Sequence, residues 1–270
     1  MPVYWNCSDI TVSDPKEIHI QNASKASQSS YKRATVFLGT GENMKRLLWV
    51  TTLGLFIAIV TQRSHAVEVS AGGVQINLAA PKGYCPLEKQ NPAESQAIAA
   101  IQQAIPNEEL AAFAPCDRLN AWREGKTNEI GNIADYQLSS STKGQRLSAQ
   151  QVIPSVCAEF RKQGAEIVKG AKAEINKRLE SVEILAKSLQ LNSQKMYGVL
   201  HEDKTGCYTG IIQKFKDKDK VETLFTVNAI TVVKGKVISF YHYDNFNGSS
   251  TIQRLLATSR STIEATLAQN

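Results

Sequence analysis

The clearest structural signal in the chain is the segment Thr223-Leu-Phe-Thr-Val-Asn-Ala-Ile-Thr-Val-Val-Lys-Gly-Lys-Val-Ile-Ser-Phe-Tyr-His-Tyr243. Its first half is rich in β-branched residues, which are favoured in strands. Lys234-Gly-Lys236 interrupts the segment, and Gly235 suits a tight turn because glycine tolerates positive φ. The segment therefore predicts a β-hairpin of two strands, Thr223–Val233 and Val237–Tyr243.

Two more strands are expected before this hairpin, and a helix is expected after it. Lys195–Glu202 and Gly206–Phe215 are separated by a short polar loop, so they extend the hairpin to a four-stranded antiparallel meander. After a loop at residues 245–250, Ser250 or Thr251 can cap a final helix. The apolar stripe of this helix is formed by Ile252, Leu255, Leu256, Ile263 and Leu267.

A long amphipathic helix is predicted ahead of the meander. Ser148 and Gln151 have the spacing of a capping box. From Val152 to Val182, apolar residues recur every three or four positions, which predicts one buried helix face. The opposite face mixes lysines and glutamates. An anionic partner could bind there, but the mixture is more typical of a solvated face with ion pairs between neighbouring turns.

The region before the long helix contributes the remaining elements. They are a hairpin at Val67–Leu78 with its turn at Gly72-Gly73, a helix that Asn91-Pro92 opens, strands at Leu110–Phe113 and Ile133–Leu138, and a helical turn or strand at Asp117–Glu124. Strands come in runs and do not alternate with helices. The chain is therefore expected to form an α+β domain, with an antiparallel sheet and helices packed on one face.

The segment from Met44 to Ala66 has the three parts of a secretory signal peptide. A basic pair follows Met44, Leu47–Val60 is an uncharged and mostly apolar run of 14 residues, and Ser64-His65-Ala66 has small residues at both positions that signal peptidase reads. A membrane-spanning helix needs about 20 apolar residues. Cleavage between Ala66 and Val67 is therefore expected, with an uncleaved membrane anchor as the alternative.

This interpretation divides the chain into three parts. Residues 1–43 are polar and lack periodicity, and we expect a disordered extension that is either not translated or without function. Residues 44–66 form the signal peptide, and residues 67–270 form a single α+β domain that is periplasmic or secreted. If the signal is not cleaved, the same domain is anchored in the inner membrane and faces the periplasm.

Four cysteines lie in the exported part of the chain: Cys85, Cys116, Cys157 and Cys207. An oxidising compartment favours two disulfides, and three connectivities are possible. Cys85–Cys116 with Cys157–Cys207 is favoured because each pair joins neighbouring elements. The cysteines include no C-x-x-C pair and only two histidines accompany them, so the spacing of a zinc site is missing. No metal or other cofactor is predicted.

The net charge of +6 does not indicate nucleic-acid binding. Residues 1–66 contribute half of it, with seven Lys or Arg and four Asp or Glu, and the basic residues that follow alternate with acidic ones. A nucleic-acid-binding surface concentrates its basic residues on one face. No nucleic-acid partner is therefore expected.

His201, His242 and Asp244 are the only enzyme-like group of residues that can be assembled. They form an acid–base site only if the two strands are neighbours and both imidazole rings lie on the same face. Otherwise His201 is an exposed turn residue and His242 is a packing residue, and no catalytic residue is predicted. The chain also lacks the G-x-S-x-G, H-E-x-x-H and Walker-loop motifs.

Six aromatic residues lie on the meander: Tyr197, Tyr208, Phe225, Phe240, Tyr241 and Tyr243. Half are expected in the core and the others in cross-strand pairs. The alternative is an exposed aromatic strip that binds a protein partner or an apolar ligand.

Thr231–Tyr243, followed by a loop and an apolar C-terminal helix, resembles the closing hairpin and helix of PsbP/Mog1/DcrB-like domains. Ala114-Pro115 after a short strand, and the early hairpin, are compatible with this resemblance, which extends in topology over residues 67–270. The chain also resembles exported proteobacterial proteins of unassigned function. The superfamily includes photosystem subunits, a nuclear transport factor and envelope proteins, most of them not enzymes. The resemblance therefore implies a fold and a binding role, and it assigns no site.

Together these features predict an exported periplasmic binding or accessory domain without an identifiable catalytic site, with envelope maintenance as its setting. Its partner is expected to be a protein or a small apolar ligand, and it meets the membrane only during export unless the signal is retained. The alternatives are an enzyme that uses His201 and His242, and a membrane-tethered interaction domain.

Overall fold

The structure, a computed structural model, describes residues 66–181, 189–217 and 220–270. The strands in this part of the chain are β1 (Ala66–Ala71), β2 (Val74–Ala79), β3 (Tyr84–Pro86), β4 (Glu108–Pro115), β5 (Ala134–Leu138), β6 (Leu189–Asp203), β7 (Gly206–Asp217), β8 (Lys220–Val233) and β9 (Lys236–Asn245). The helices are α1 (Pro92–Ala104), α2 (Cys116–Arg123), α3 (Ala149–Ser181) and α4 (Ser249–Ala268).

Seven of these strands form one antiparallel sheet in the order β3-β4-β5-β9-β8-β7-β6, and β1 pairs with β2 in a separate hairpin. The predicted meander is confirmed, because β6, β7 and β8 each pair with the next strand along the chain. Lys234 and Gly235 form the β8–β9 turn, both with positive φ, at 47° and 82°. Such two-residue turns match the natural twist of a hairpin. β9 also pairs with β5, which places it at the centre of the sheet.

One face of the sheet is covered by α4 and by the β1–β2 hairpin. Leu255 and Ile263 of α4 share one apolar cluster with Phe240 of β9. The Tyr136 hydroxyl of β5 donates a hydrogen bond to the Ala79 carbonyl oxygen of β2 at 3.0 Å. Sheet, hairpin and final helix are therefore held together on this side.

The opposite face is covered by α1 and α3. Ile101 of α1 and Val168 of α3 share an apolar cluster with Tyr241 of β9. The α+β class, the antiparallel sheet and the long helix are confirmed, but the helices lie on both faces and not on one as predicted. The reason is that β9 is buried continuously from Lys236 to Tyr243, and a strand buried on both sides needs cover on both.

The long helix α3 begins as its capping box predicts. The Ser148 hydroxyl accepts a hydrogen bond from the Gln151 backbone N–H at 3.3 Å and donates to the Gln151 side chain at 2.8 Å. Gln163 has non-helical angles, φ −137° and ψ 19°, so the helix is kinked at that residue. The predicted end at Val182 lies outside the described residues.

Both disulfides have the favoured connectivity. Cys85–Cys116 joins β3 to the first residue of α2 with a Cα–Cα distance of 4.9 Å. Cys157–Cys207 joins α3 to β7 with a Cα–Cα distance of 5.6 Å. The strand β3 was not predicted, because the sequence around Pro81 indicated only the end of the first hairpin. Asp117–Glu124 is mainly helical, as one of its two interpretations states.

The outer strand β6 is irregular. Its register with β7 shifts at three places, between residues 191 and 193, 196 and 198, and 199 and 201. Gly198, at the second shift, has a φ of 128° that side chains rarely adopt. Irregularities of this kind bend a strand and break its ladder of hydrogen bonds.

The extension at residues 1–43 and the signal peptide lie outside the described residues, apart from Ala66, where β1 begins. The division of the chain into these parts therefore stays a prediction. Within the described ranges, no helix is long and apolar enough to cross a membrane.

Candidate functional site

A pocket of about 310 Å³ lies beside β4. The neighbouring strand β3 pairs only with Phe113–Pro115, and the preceding part of β4, Glu109–Ala112, forms one wall of the pocket. The other walls are Val67–Val69 of β1, Ile98 of α1 and the loop Pro86–Gln90 that leads out of β3. We refer to this space as the β4-edge pocket.

The loop wall of this pocket is held from two sides. At its start, the Cys85–Cys116 disulfide ties the loop to α2. The next contact is a hydrogen bond of 2.9 Å from the Leu87 N–H to the Ala112 carbonyl oxygen. The following residue is held by Glu94, whose carboxylate accepts a hydrogen bond of 2.7 Å from the Glu88 N–H. The wall is therefore positioned by covalent and polar contacts.

Glu94 is a fully buried carboxylate that is well paired. Arg123 donates to both of its oxygens, from Nε at 2.8 Å and from Nη2 at 2.9 Å. Burial raises the pKa of Glu94, but the hydrogen bonds from Arg123 and from the Glu88 N–H, together with the Arg123 charge, lower it by more. The pKa therefore lies below its usual value, and Glu94 acts as a buried anion that supports the pocket wall.

Gln102 of α1 positions the beginning of β4. Its side-chain amide donates to the Asn107 carbonyl oxygen at 2.9 Å, and its side-chain oxygen accepts from the Glu109 N–H at 2.7 Å. The backbone of Glu109 is thus held by a helix as well as by the sheet.

Glu109 is the second buried glutamate at this site, and its surroundings are the opposite of those of Glu94. The residue is 8% exposed, and neither carboxylate oxygen has a hydrogen-bond partner. Burial, and then the charge of Asp135, raise the pKa of Glu109 well above its usual value, while the charge of Lys89 lowers it by less. An unpaired carboxylate is costly to bury, so Glu109 is the pocket residue most able to gain from a bound partner.

A chain of buried polar side chains lies next to Glu109. Asn107 donates to the Gln137 side-chain oxygen at 3.1 Å, and Gln137 donates to Asp135 at 2.8 Å. Glu109 and Gln137 are opposite each other in the β4–β5 register. These bonds hold the Asp135 carboxylate in one orientation, so its charge acts on Glu109 from a constant position.

The structure does not bring His201 and His242 together. His201 lies on β6 and His242 lies on β9, and the strands β7 and β8 separate them. The condition that the predicted acid–base group needs, two neighbouring strands, is therefore not met.

His242 is a packing residue, as one interpretation of the sequence states. It is 2% exposed, and its Nε2 lies 3.1 Å from the Tyr84 hydroxyl oxygen. Burial lowers the pKa of His242 to about 4, against the opposing charge of Asp244. The imidazole is therefore neutral at neutral pH. Burial also raises the pKa of Tyr84 to about 12.

His201 and Asp244 each have other partners. His201 is half-buried, and its Nε2 lies 2.9 Å from a carboxylate oxygen of Asp203. Asp244 pairs with Arg254 and accepts a hydrogen bond of 2.9 Å from the Asn132 side chain. His201 and Asp244 thus belong to two separate clusters of side chains.

Of the six meander aromatics, Tyr197 is exposed, at 55%, and the others are buried. Tyr197 packs edge-to-face against Phe225, with ring centroids 5.6 Å apart, and Tyr241 stacks near Tyr243. The described part of the meander therefore presents no continuous aromatic strip to a partner.

Sequence reasoning missed the two buried glutamates. Glu94 had a usable signal, because it precedes Ile98 and Ile101 by four and seven residues and so falls on the apolar stripe of α1. Glu109 had none, because it stands between a turn and a short apolar run. Among the described residues, no group of three or more His, Cys, Asp and Glu is arranged to hold a metal ion.

No family model and no curated protein matches the chain. A comparison with solved structures matches it to the solution structure of cyanobacterial PsbP (CyanoP) from Synechocystis sp. PCC 6803, at 12% sequence identity and a TM-score of 0.35. The match covers 76% of this chain and 94% of that one. Because the identity and the TM-score are low, no ligand, partner or residue role is carried over.

Proposed function

We propose that the chain is an exported, disulfide-stabilised binding domain that takes a small ligand in the β4-edge pocket and serves as an accessory component of the cell envelope. The observation that carries this proposal is the pocket. Its volume of about 310 Å³ is within the range of roughly 300–1,000 Å³ typical of small-molecule sites. Eight of its thirteen lining residues are apolar and five are polar or charged, and a mostly apolar lining with some polar groups is usual for such sites.

Export is supported by the two disulfides, which proteins of the cytosol rarely keep. The expected cleavage site is also compatible with the strand β1 (Ala66–Ala71). Cleavage between Ala66 and Val67 removes only the first residue of that strand, and the five residues that remain keep their pairing with β2.

The enzyme alternative has less support. It needs His201 and His242 in one site, and two strands lie between them. The imidazole of His242 is buried and neutral, and its Nε2 already has the Tyr84 hydroxyl as a hydrogen-bond partner.

Export is tested by the intact mass of the protein isolated from its native host without reduction. A mass equal to Val67–Asn270 less four hydrogens supports export, cleavage and both disulfides together. A mass that corresponds to a chain beginning at Met1 or Met44, with free thiols, contradicts the proposal.

Ligand binding is tested by titrating the purified protein with 1-hexanol and following backbone amide signals by NMR. Saturable shifts confined to residues 67–69, 87–90, 98 and 109–112 are expected. Val69→Trp, which adds bulk to the pocket wall, should abolish them. Gln75→Trp, on the exposed part of the same hairpin, is the matched control and should leave them unchanged. Shifts spread over the whole surface, or none, would contradict binding at this pocket.

A further inference from the structure

We propose that the ligand of the β4-edge pocket carries a protonated amino group, and that the Glu109 carboxylate is the group that pairs with it. This inference rests on the proposed function and adds the charge of the ligand to it. The ligand is thus a small organic cation with an apolar body.

Glu109 is a buried carboxylate without a hydrogen-bond partner in the described part of the chain. This residue lines the pocket, is more than nine-tenths buried, and has no hydrogen-bond partner on either oxygen. Buried carboxylates in folded proteins are nearly always paired. A ligand that donates to Glu109 supplies the missing partner, and a charged donor gives the strongest such bond.

The charged residues around the pocket favour a cationic ligand. Besides Glu109, two of the pocket's lining residues are acidic, Glu68 and Glu88, and one is basic, Lys89; Glu88 is paired with Arg123 at 3.4 Å. Asp135 adds a further negative charge that acts on Glu109. A field of this sign attracts a cation and repels an anion. Lys89 is an exposed residue, and it makes no hydrogen bond to the Glu109 oxygens.

The apolar residues around the pocket favour a ligand with an apolar body. Val67, Val69, Leu87, Ile98 and Leu110 give the pocket an apolar lining. Burying apolar surface against such walls is favourable in proportion to its area. An inorganic cation would leave these walls without a partner, whereas an alkyl or aryl amine satisfies both the walls and the carboxylate.

The test uses calorimetry on the purified protein to compare three molecules with six carbons each. At neutral pH, n-hexylamine is positively charged, 1-hexanol is neutral and hexanoate is negatively charged. We expect hexylamine to bind at least about tenfold more tightly than hexanol, the size of one charge-assisted hydrogen bond. Hexanoate is expected to bind more weakly than hexanol.

The decisive variant is Glu109→Gln, which keeps the size of the side chain and removes its charge. Its affinity for hexylamine is expected to fall to that for hexanol, while hexanol binding is unchanged. Glu129→Gln is the matched control, since it removes the same charge from an exposed residue outside the pocket, and it should keep the preference for the amine. Near-UV circular dichroism of each variant shows that the fold is intact.

The outcomes separate this inference from the proposed function. If hexanol binds at the pocket and hexylamine binds no better, the site is a ligand site without amine recognition, and this inference is overturned while the function stands. If the unmodified protein and the Glu109→Gln variant show the same preference for hexylamine over hexanol, a group other than Glu109 recognises the amine. That result also overturns this inference. If none of the three molecules binds, both fail.

Discussion

Glu94 supports one wall of the β4-edge pocket from behind and Glu109 lines the pocket; both glutamates are buried, but their partners differ completely. Glu94 receives two hydrogen bonds from Arg123 and one from the Glu88 backbone, and its pKa is lowered. Glu109 receives none on its carboxylate, and its pKa is raised. The first glutamate supports the wall of the pocket, and the second is free to bind what enters it. Burial alone therefore does not distinguish a structural acid from a binding acid, whereas the set of partners does.

Removal of the Cys85–Cys116 disulfide is expected to lower stability more than any of the substitutions that follow. Replacing both cysteines with serine should lower the free energy of unfolding by about 3–4 kcal/mol. It should also weaken hexylamine binding, because the loop Pro86–Gln90 loses its anchor beside Glu94. The same replacement at Cys157–Cys207 is the control, with a similar loss of stability and unchanged binding. Urea unfolding and calorimetry measure the two effects, and equal losses of binding in both variants would show that the first disulfide has no special role.

The free energy of unfolding is expected to fall in acid in two steps. His242 causes the step at the higher pH, and Glu94 causes the step at the lower pH. The pKa of His242 falls from 6.5 to about 4 on burial. Its contribution is therefore complete above pH 6.5 and is lost as the pH falls towards 4, about 3 kcal/mol in all. The lowered pKa of Glu94 adds a loss that begins only below its usual value of 4.5. In His242→Gln the loss at the higher pH should disappear and the loss at the lower pH should remain. Urea unfolding across this pH range measures both, and an unchanged profile in the variant would contradict the assignment.

Arg123→Met is expected to leave Glu94 without its charged partner, with the Glu88 N–H as the remaining hydrogen-bond donor. The free energy of unfolding at neutral pH should fall by about 2–3 kcal/mol, less than for a fully buried pair because Arg123 is partly exposed. Lys143→Met, which breaks an exposed pair with Glu108, is the control and should cost less than about 1 kcal/mol. Equal effects of the two substitutions in urea unfolding would mean that burial of Glu94 does not matter.

Glu109→Gln is expected to have the smallest effect on stability, and the opposite sign. A raised pKa means that the folded protein is most stable when Glu109 is protonated, so this contribution is lost as the pH rises above the usual value. The variant should therefore gain about 1 kcal/mol at neutral pH, and the gain should shrink in acid. Glu94→Gln should lose stability at neutral pH instead. Thermal unfolding at two pH values is sufficient, and a loss in both variants would remove the distinction between the two glutamates.

The elements of this fold were largely predictable because their signals are local. The turn at Lys234-Gly235, the cap at Ser148 and the apolar periods of α1, α3 and α4 all lie within short windows of sequence. The disulfide pairing was also favoured correctly, since each pair joins elements that are close along the chain.

The arrangement around the site was not predictable, because it depends on pairing over long distances. β5 pairs with β9 across about a hundred residues, and this contact makes β9 central and buried on both faces. No local pattern indicates that pairing, so the helices were expected on one face only. Glu109 was missed for the same reason, since it is buried beside Asp135 by the pairing of β4 with β5, and no local pattern indicates that pairing.

The irregular strand β6 has a consequence for how copies of the protein behave near one another. An outer strand with a regular row of free backbone groups can accept a strand from a second molecule, and sheets then grow from chain to chain. The three register shifts of β6 and the positive φ of Gly198 interrupt that row. This outer strand is thus a poor template for the addition of a strand from a second molecule.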